Sequence, residues 1–143
     1  MDFALTEEQE MIRESAESFL ADVSSSQAVR KAMMTEQGYD DEVWQRICEE
    51  MVWPALHIPE IYGGMGLGYV ELAVLLEKMG KYLLCSPYFS TVCLGVNALL
   101  VAGNDEQKQA YLPQIVEGKL KATLAYTGMN GRCDAHAVQA TYQ

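Results

Sequence analysis

Residues 69–84 place Val70, Leu72, Ala73, Val74, Leu75, Leu76 and Met79 on nearly every side of a helix, and residues 88–102 are equally apolar. A helix that is hydrophobic all round must be covered by neighbouring elements. Neither segment approaches the ~20 consecutive apolar residues of a membrane span. The longest apolar run, 92–102, is interrupted by Gly95 and Asn97. The rest of the chain therefore has to wrap this pair. With 143 residues, 50% of them hydrophobic, the material for such a core is present, since a chain near this size hides roughly 70% of its unfolded surface on folding.

The covering helices announce themselves by their caps. Thr6-Glu7-Glu8-Gln9 reads as a capping box, in which the Thr6 hydroxyl accepts from the Gln9 amide and the Gln9 side chain reaches back. Ile12, Ala16, Phe19, Leu20 and Val23 follow at helical spacing, and Glu7, Glu8 and Glu10 favour the positive end of the helix dipole. This helix is expected to end near Ser24-Ser25-Ser26, with a shorter one over 27–35. Asp40-Asp41 caps a third helix bearing Val43, Trp44, Ile47, Cys48 and Met51, with Pro54 as its stop. Residues 59–68, dominated by glycine and proline, are expected to be irregular. Pro87 opens the helix over 88–102, closed by Gly103 in the manner of a left-handed C-cap. Asn104 caps a short helix through Tyr111, which Leu112-Pro113 breaks, and one more turn runs to Gly118.

Beyond Gly118 the period changes. Lys121-Ala122-Thr123-Leu124-Ala125-Tyr126-Thr127 alternates as a strand does, and 137–142 suggests a second strand after a loop over 128–134. Two short strands alone are marginal in water. The expectation is a mainly α chain: a helical domain over 1–120, then 121–143 as the opening of a β domain whose remainder lies beyond the sequence.

Charge and side-chain inventory exclude several functions. The net charge is −10, and residues 1–60 carry the whole excess with 14 acids and 4 bases, against 6 of each in 61–143. Nucleic-acid binding needs clustered Lys and Arg to displace counterions, so no such partner is expected. Cys48, Cys85, Cys93 and Cys133 form no C-x-x-C pair and read as reduced thiols. His57 and His136 have no ligand-spaced neighbours, so no metal is expected. The N-terminus shows neither a basic region nor an apolar stretch of a secretory leader, which points to a cytoplasmic protein.

The cluster Gly63-Gly64-Met65-Gly66-Leu67-Gly68 fails the dinucleotide fingerprint of glycines at i, i+2 and i+5, because Tyr69 follows Gly64 and Glu71 follows Gly66 at the last position. It reads as a tight turn between helices. No nucleophilic triad can be built from two isolated histidines. Glu60, Glu71 and Glu77 lie near apolar segments but suit turn, capping and exposed roles.

The order of local signals nonetheless resembles one family. Phe3-Ala4-Leu5-Thr6-Glu7-Glu8-Gln9, Ile58-Pro59-Glu60-Ile61-Tyr62-Gly63-Gly64-Met65-Gly66, Leu76-Glu77-Lys78-Met79-Gly80, Ala102-Gly103-Asn104-Asp105-Glu106-Gln107-Lys108, Tyr111-Leu112-Pro113 and Ala125-Tyr126-Thr127 appear in sequence with matching gaps. The series is similar to the N-terminal part of the flavin-dependent acyl-CoA dehydrogenases, over essentially the whole chain. The resemblance implies an orthogonal helical bundle followed by the first strands of the middle β domain.

It also implies a reaction: α,β-desaturation of an acyl-CoA thioester, with FAD as cofactor and an electron-transfer partner or other acceptor downstream. The general base of the family comes from a C-terminal bundle, so no catalytic residue is assigned here and the segment alone should be inactive. Flavin contacts align with Leu124, Tyr126, Thr127, Arg132 and Cys133. Gly128 and Met129 replace the usual Glu-Pro after Thr127, while Arg132 and Cys133 stand where glycine and serine are common. Ser86, Ser90 and Leu94 align with the acyl slot, small Ser90 leaving room for a longer or bulkier acyl group. Family members are homo- or hetero-oligomers, mostly tetramers. Alternatives within the resemblance are an oxidase or monooxygenase on the same fold, or a non-catalytic partner of a complete homologue.

Overall fold

The computed structural model describes residues 4–129 together with 131, 132, 134, 136 and 138. Helices α1 (Glu7–Val23), α2 (Ser26–Met33) and α3 (Asp41–Glu49) precede two single 3-10 turns, Trp53–Ala55 and Glu60–Tyr62. Then come α4 (Tyr69–Lys81), a π-helical segment Phe89–Val96 that runs directly into α5 (Asn97–Ala102), and α6 (Asp105–Val116).

The starts of these helices are made by residues three apart. The Thr6 hydroxyl accepts from the Gln9 amide at 3.2 Å, and Gln9 Oε1 accepts from the Thr6 amide at 3.0 Å. Asp40 Oδ1 accepts from the amides of Glu42 and Val43, Ser25 from that of Ala28, and Asn104 from that of Gln107. Each satisfies a donor that a helix leaves unpaired at its first turn, a contribution of about 1 kcal/mol. Gln9 also donates to Glu71 at 2.7 Å, and Glu71 accepts from the Gly68 amide at 2.9 Å. One carboxylate thus caps α4 and ties it to the start of α1.

The main core joins α1, α3, α4 and the π segment. Ala16, Phe19, Leu20, Trp44, Ile47, Leu72, Leu75, Met79 and Val92 are all buried in one cluster with Trp53 and Tyr88. Phe19 meets Trp53 edge to face at 5.2 Å, and the Arg46 guanidinium lies over the Phe19 ring. Tyr88 is sealed inside and donates its hydroxyl to the Trp53 carbonyl. A second cluster, Ile58, Val96, Leu112 and Ile115, packs α6 under the end of the π segment.

The glycine-rich stretch is a structural turn. The amides of Met65, Gly66 and Leu67 donate to the carbonyls of Ala55, Ile58 and Leu56, all at 2.9 Å. Gly64 lies so close that a Cβ there would fall 1.9 Å from the Ile58 carbonyl oxygen.

Five local expectations are corrected. The region 59–68 is not wholly irregular, since Glu60–Tyr62 completes a 3-10 turn. Helix α4 stops at Lys81 rather than reaching 84, because Leu83 turns into the left-handed region at φ 51°. Gly103 is not a left-handed cap: it is extended at φ −70° and ψ 145°, and its small size matters because a Cβ would sit 2.5 Å from the Leu99 carbonyl oxygen. Pro113 does not break α6, which continues to Val116; the missing amide costs one backbone bond, and full burial of Leu112 and Ile115 on either side outweighs it. Residues 121–127 form no strand. A strand is a paired object, and among the described residues no partner ladder runs beside this one. The second expected strand, 137–142, lies outside the described residues apart from Val138.

Where α1 meets α4, Glu17 accepts from the Tyr82 hydroxyl at 2.6 Å and pairs with Lys78 at 3.1 Å and with Lys81. Hydrogen bonds from Lys81, Tyr82 and Lys78 lower its pKa from 4.5 to about 2. A depressed carboxyl pKa stabilises the fold above the unfolded value, and that stabilisation fades as pH falls through the folded one. Urea-unfolding midpoints measured from neutral pH to pH ~2 should fall less steeply in Glu17→Gln than in the parent. Identical slopes would contradict this role for Glu17.

Candidate functional site

The helix formed by the π segment and α5 carries the three residues expected to line an apolar slot, or lies next to them. Ser86, just before it, accepts from the Tyr88 amide at 3.3 Å, and Ser90 donates to the Pro87 carbonyl at 3.0 Å. Ser90 and Leu94, four residues apart, are both half-buried. Tyr88, Thr91 and Val92 of the same stretch are fully enclosed. Tyr88 is enclosed and its hydroxyl donates to the Trp53 carbonyl, which anchors the helix, and burial pushes its phenol far above the ordinary pKa.

The winding of this helix is unusual. Eight residues, Phe89–Val96, are π-helical, and π turns inside α-helices occur disproportionately at functional sites. The apolar pattern foretold a helix here but not its pitch.

The segment that follows α6 crosses this helix. Thr91 Oγ1 accepts from the Ala122 amide at 3.3 Å, and a Cβ on Gly95 would lie 2.6 Å from the Cβ of Ala122. Lys121 is held by the Tyr39 hydroxyl, lies 4.7 Å above the Tyr39 ring, and reaches Asp41 at 3.6 Å. These contacts fix where the chain leaves the helical body. Leu124, Tyr126 and Thr127 follow within five residues of the crossing, and Leu124 and Tyr126 are 45% and 40% exposed. The expected slot residues and three of the expected flavin-contact residues are therefore carried on two segments that touch. Arg132 is ion-paired to Asp134 at 2.9 Å. Cys133 lies outside the described residues.

These residues can be matched against the needs of a flavin ring, which takes apolar or aromatic surface on its face and backbone groups at its polar edge. Leu124 and Tyr126 offer such surface, on a stretch whose backbone is committed to neither helix nor ladder. That part fits. Arg132 forms an ion pair with Asp134 in the same loop.

The acids do not form a catalytic pair. Glu71 is held below the usual carboxylate range by hydrogen bonds from Gln9 and from the backbone. Glu60 and Glu77 are exposed. No group of three or more His, Cys, Asp or Glu that could hold a metal exists among the described residues. Cys48, Cys85 and Cys93 are free thiols, and burial raises the Cys48 pKa to about 11. No helix among the described residues is long and apolar enough to cross a membrane.

Two residues join this site that their types alone did not single out. His57, 7% exposed, lies 3.3 Å from Asn97 Oδ1, and Asn97 also accepts from Tyr69. The visible signal was Asn97 itself, an amide inside an otherwise apolar run.

A family model described as the N-terminal domain of acyl-CoA dehydrogenases matches residues 6–119. The acyl-CoA dehydrogenase IpdE2 of Mycolicibacterium smegmatis is 36% identical over 122 residues, covering 85% of this chain and 38% of that protein. Among solved structures, the ChsE4-ChsE5 complex from Mycobacterium tuberculosis superposes with a TM-score of 0.82 at 28% identity, over 92% of this chain and 36% of that one. The FAD complex of PigA matches with a TM-score of 0.65 at 28% identity, over 85% and 32% of the two chains. The chain thus spans about a third of the length of these relatives.

Gly95→Val tests the crossing. Its side chain cannot fit against Ala122, and overpacking of this kind costs about 1–3 kcal/mol. A lower Tm, together with faster amide exchange over 121–127, is the expected outcome; unchanged exchange there would show that the contact does not hold the segment.

Proposed function

Since this chain belongs to the acyl-CoA dehydrogenase family, we propose that it supplies one wall of the acyl slot and one edge of the flavin site in an FAD-dependent enzyme that desaturates acyl-CoA thioesters. The observation that carries this reading is the crossing at Gly95 and Ala122, which puts the candidate slot helix and the candidate flavin segment side by side. In the same reading, 1–120 is the helical domain and 121–143 begins the next one.

FAD, when bound, supplies the hydride acceptor, and Leu124, Tyr126 and Thr127 are the described residues that would hold it. The chain's own contribution is position. Removing an α-proton and a β-hydride in concert demands that the acyl chain lie in one orientation, and restraint of this sort lowers a barrier by several kcal/mol. Ser90 and Leu94, on a helix anchored in the core by Tyr88 and Thr91, present a half-buried surface suited to that restraint. The small Ser90 side chain leaves depth there for an extended acyl group. No residue of this chain is assigned as general base. Reduced enzyme would pass its electrons to a separate acceptor, and assembly as a homo- or hetero-oligomer belongs to the same proposal.

A second reading is favoured by one feature of the flavin loop. Gly128 and Met129 replace Glu-Pro, and Arg132 is tied to Asp134. This suits a subunit that pairs with a complete homologue and leaves the flavin to it. The visible spectrum of the protein in its longest natural form separates the two. One flavin per chain, bleached by an acyl-CoA without added oxidant, is the expected result. Flavin only in a complex with a second, different chain would favour the partner reading, and no acyl-CoA-dependent bleaching in either form would refute both.

A further inference from the structure

The π segment ends at Asn97, and this one side chain reaches three different parts of the fold. Its Nδ2 donates to the Cys93 carbonyl, four residues back in the same helix, at 2.9 Å. Its Oδ1 accepts from the Tyr69 hydroxyl, at the start of α4, at 2.9 Å. The same oxygen lies 3.3 Å from His57 Nε2, next to the turn formed by Trp53–Ala55. We propose that Asn97 is a positioning residue that sets the winding of the slot helix, with His57 and Tyr69 holding its carboxamide in place. The proposal rests on the acyl-slot reading above.

The hydrogen-bond chemistry is determinate. Because Nδ2 donates to Cys93, Oδ1 must be the atom facing Tyr69 and His57, and an amide oxygen only accepts. His57 Nε2 therefore carries the hydrogen, and in the neutral ring Nδ1 is a bare acceptor. Nδ1 is buried with no hydrogen-bond partner among the described residues. A protonated ring would bury a second N–H with nothing to receive it, so the neutral ring is the form this site accommodates; burial lowers the pKa accordingly, with Asn97 opposing. His57 thus acts as a fixed donor, and its ring packs 5.6 Å from that of Tyr69.

The consequence falls on the slot. Between a π turn and an α turn, every residue upstream rotates about the helix axis relative to every residue downstream. Asn97 sits at the change from one winding to the other, while Ser90 and Leu94 lie upstream and α5 is packed downstream against α6. The Nδ2 bond gives the Cys93 carbonyl a side-chain donor where the winding changes, and this lets the wider turn persist. The facing of Ser90 and Leu94 is then set from outside the helix, by α4 and by the turn before Ile58.

Three variants test this in the natural full-length protein. Asn97→Leu keeps the bulk and removes both arms. His57→Leu removes the donor, and His57→Gln keeps a donor of similar reach. The first readout is amide exchange over 92–97, which needs no activity: about a tenfold acceleration is expected in Asn97→Leu, the worth of one or two hydrogen bonds, while α6 stays protected. The second is the ratio of kcat/KM for a short and a long straight-chain acyl-CoA, expected to shift by about tenfold in Asn97→Leu and His57→Leu and to return to the parent value in His57→Gln. A loss of Tm with both readouts unchanged would make Asn97 a merely structural residue and overturn the proposal, as would His57→Gln behaving like His57→Leu. A parent protein that turns over no acyl-CoA would sink the enzymatic reading instead, and exchange would still decide the winding.

Discussion

The inner faces of α4 and of the helix over 89–102 hold the core together, and the other elements pack against those two faces. Leu72, Leu75 and Met79 of α4 bury against Ala16, Phe19 and Leu20 of α1 on one side and Tyr88 and Val92 on the other. Full burial of a side chain of this size is worth about 1.5–3 kcal/mol relative to exposure, far more than any single surface ion pair. The polar contacts between α1 and α4 then choose the register. Glu17 with Lys78, Lys81 and Tyr82 clamps one end, and Gln9 with Glu71 clamps the other. Hydrophobic burial brings the pair together, and charge-assisted hydrogen bonds decide how far one slides along its neighbour.

The same burial explains why the candidate site lies where it does. Thr91, Val92, Gly95 and Val96 commit the inner face of this helix to the core, and the half-buried Ser90 and Leu94 are left beside it to meet a ligand. Gly95 takes the backbone of the following segment at close range, so the candidate cofactor residues emerge beside the candidate slot. The arrangement depends on a residue having no side chain, a condition that no apolar pattern reveals.

How much of this was legible follows from how far apart the interacting residues lie in the chain. Thr6 and Gln9, Asp40 and Glu42, and Asn104 and Gln107 are near neighbours, so their caps could be read from residue type and spacing alone. The family resemblance rested on local strings of the same kind. Glycine after a helix commonly serves as a left-handed cap, yet the small size of Gly103 answers to the Leu99 carbonyl. Proline breaks isolated helices, yet around Pro113 the buried Leu112 and Ile115 carry the helix through. Residues 121–127 alternate as strands do, but alternation provides no partner.

By itself, the amino-acid order determined where helices begin, which residues are apolar and which family the chain resembles; it did not determine how far the two apolar helices are covered, since Val70, Phe89 and Val101 stay 54%, 59% and 84% exposed. Tertiary structure alone decided the pitch of the helix over 89–102, the burial of His57 beside Asn97, the bond network at Asn97 and the close passage of Ala122 over Gly95. The division has one cause. Caps and amphipathic stripes are governed by forces acting across one turn of backbone, whereas pitch, buried polar contacts and close approach are set by partners 25 to 40 residues away, which meet only after the core has formed.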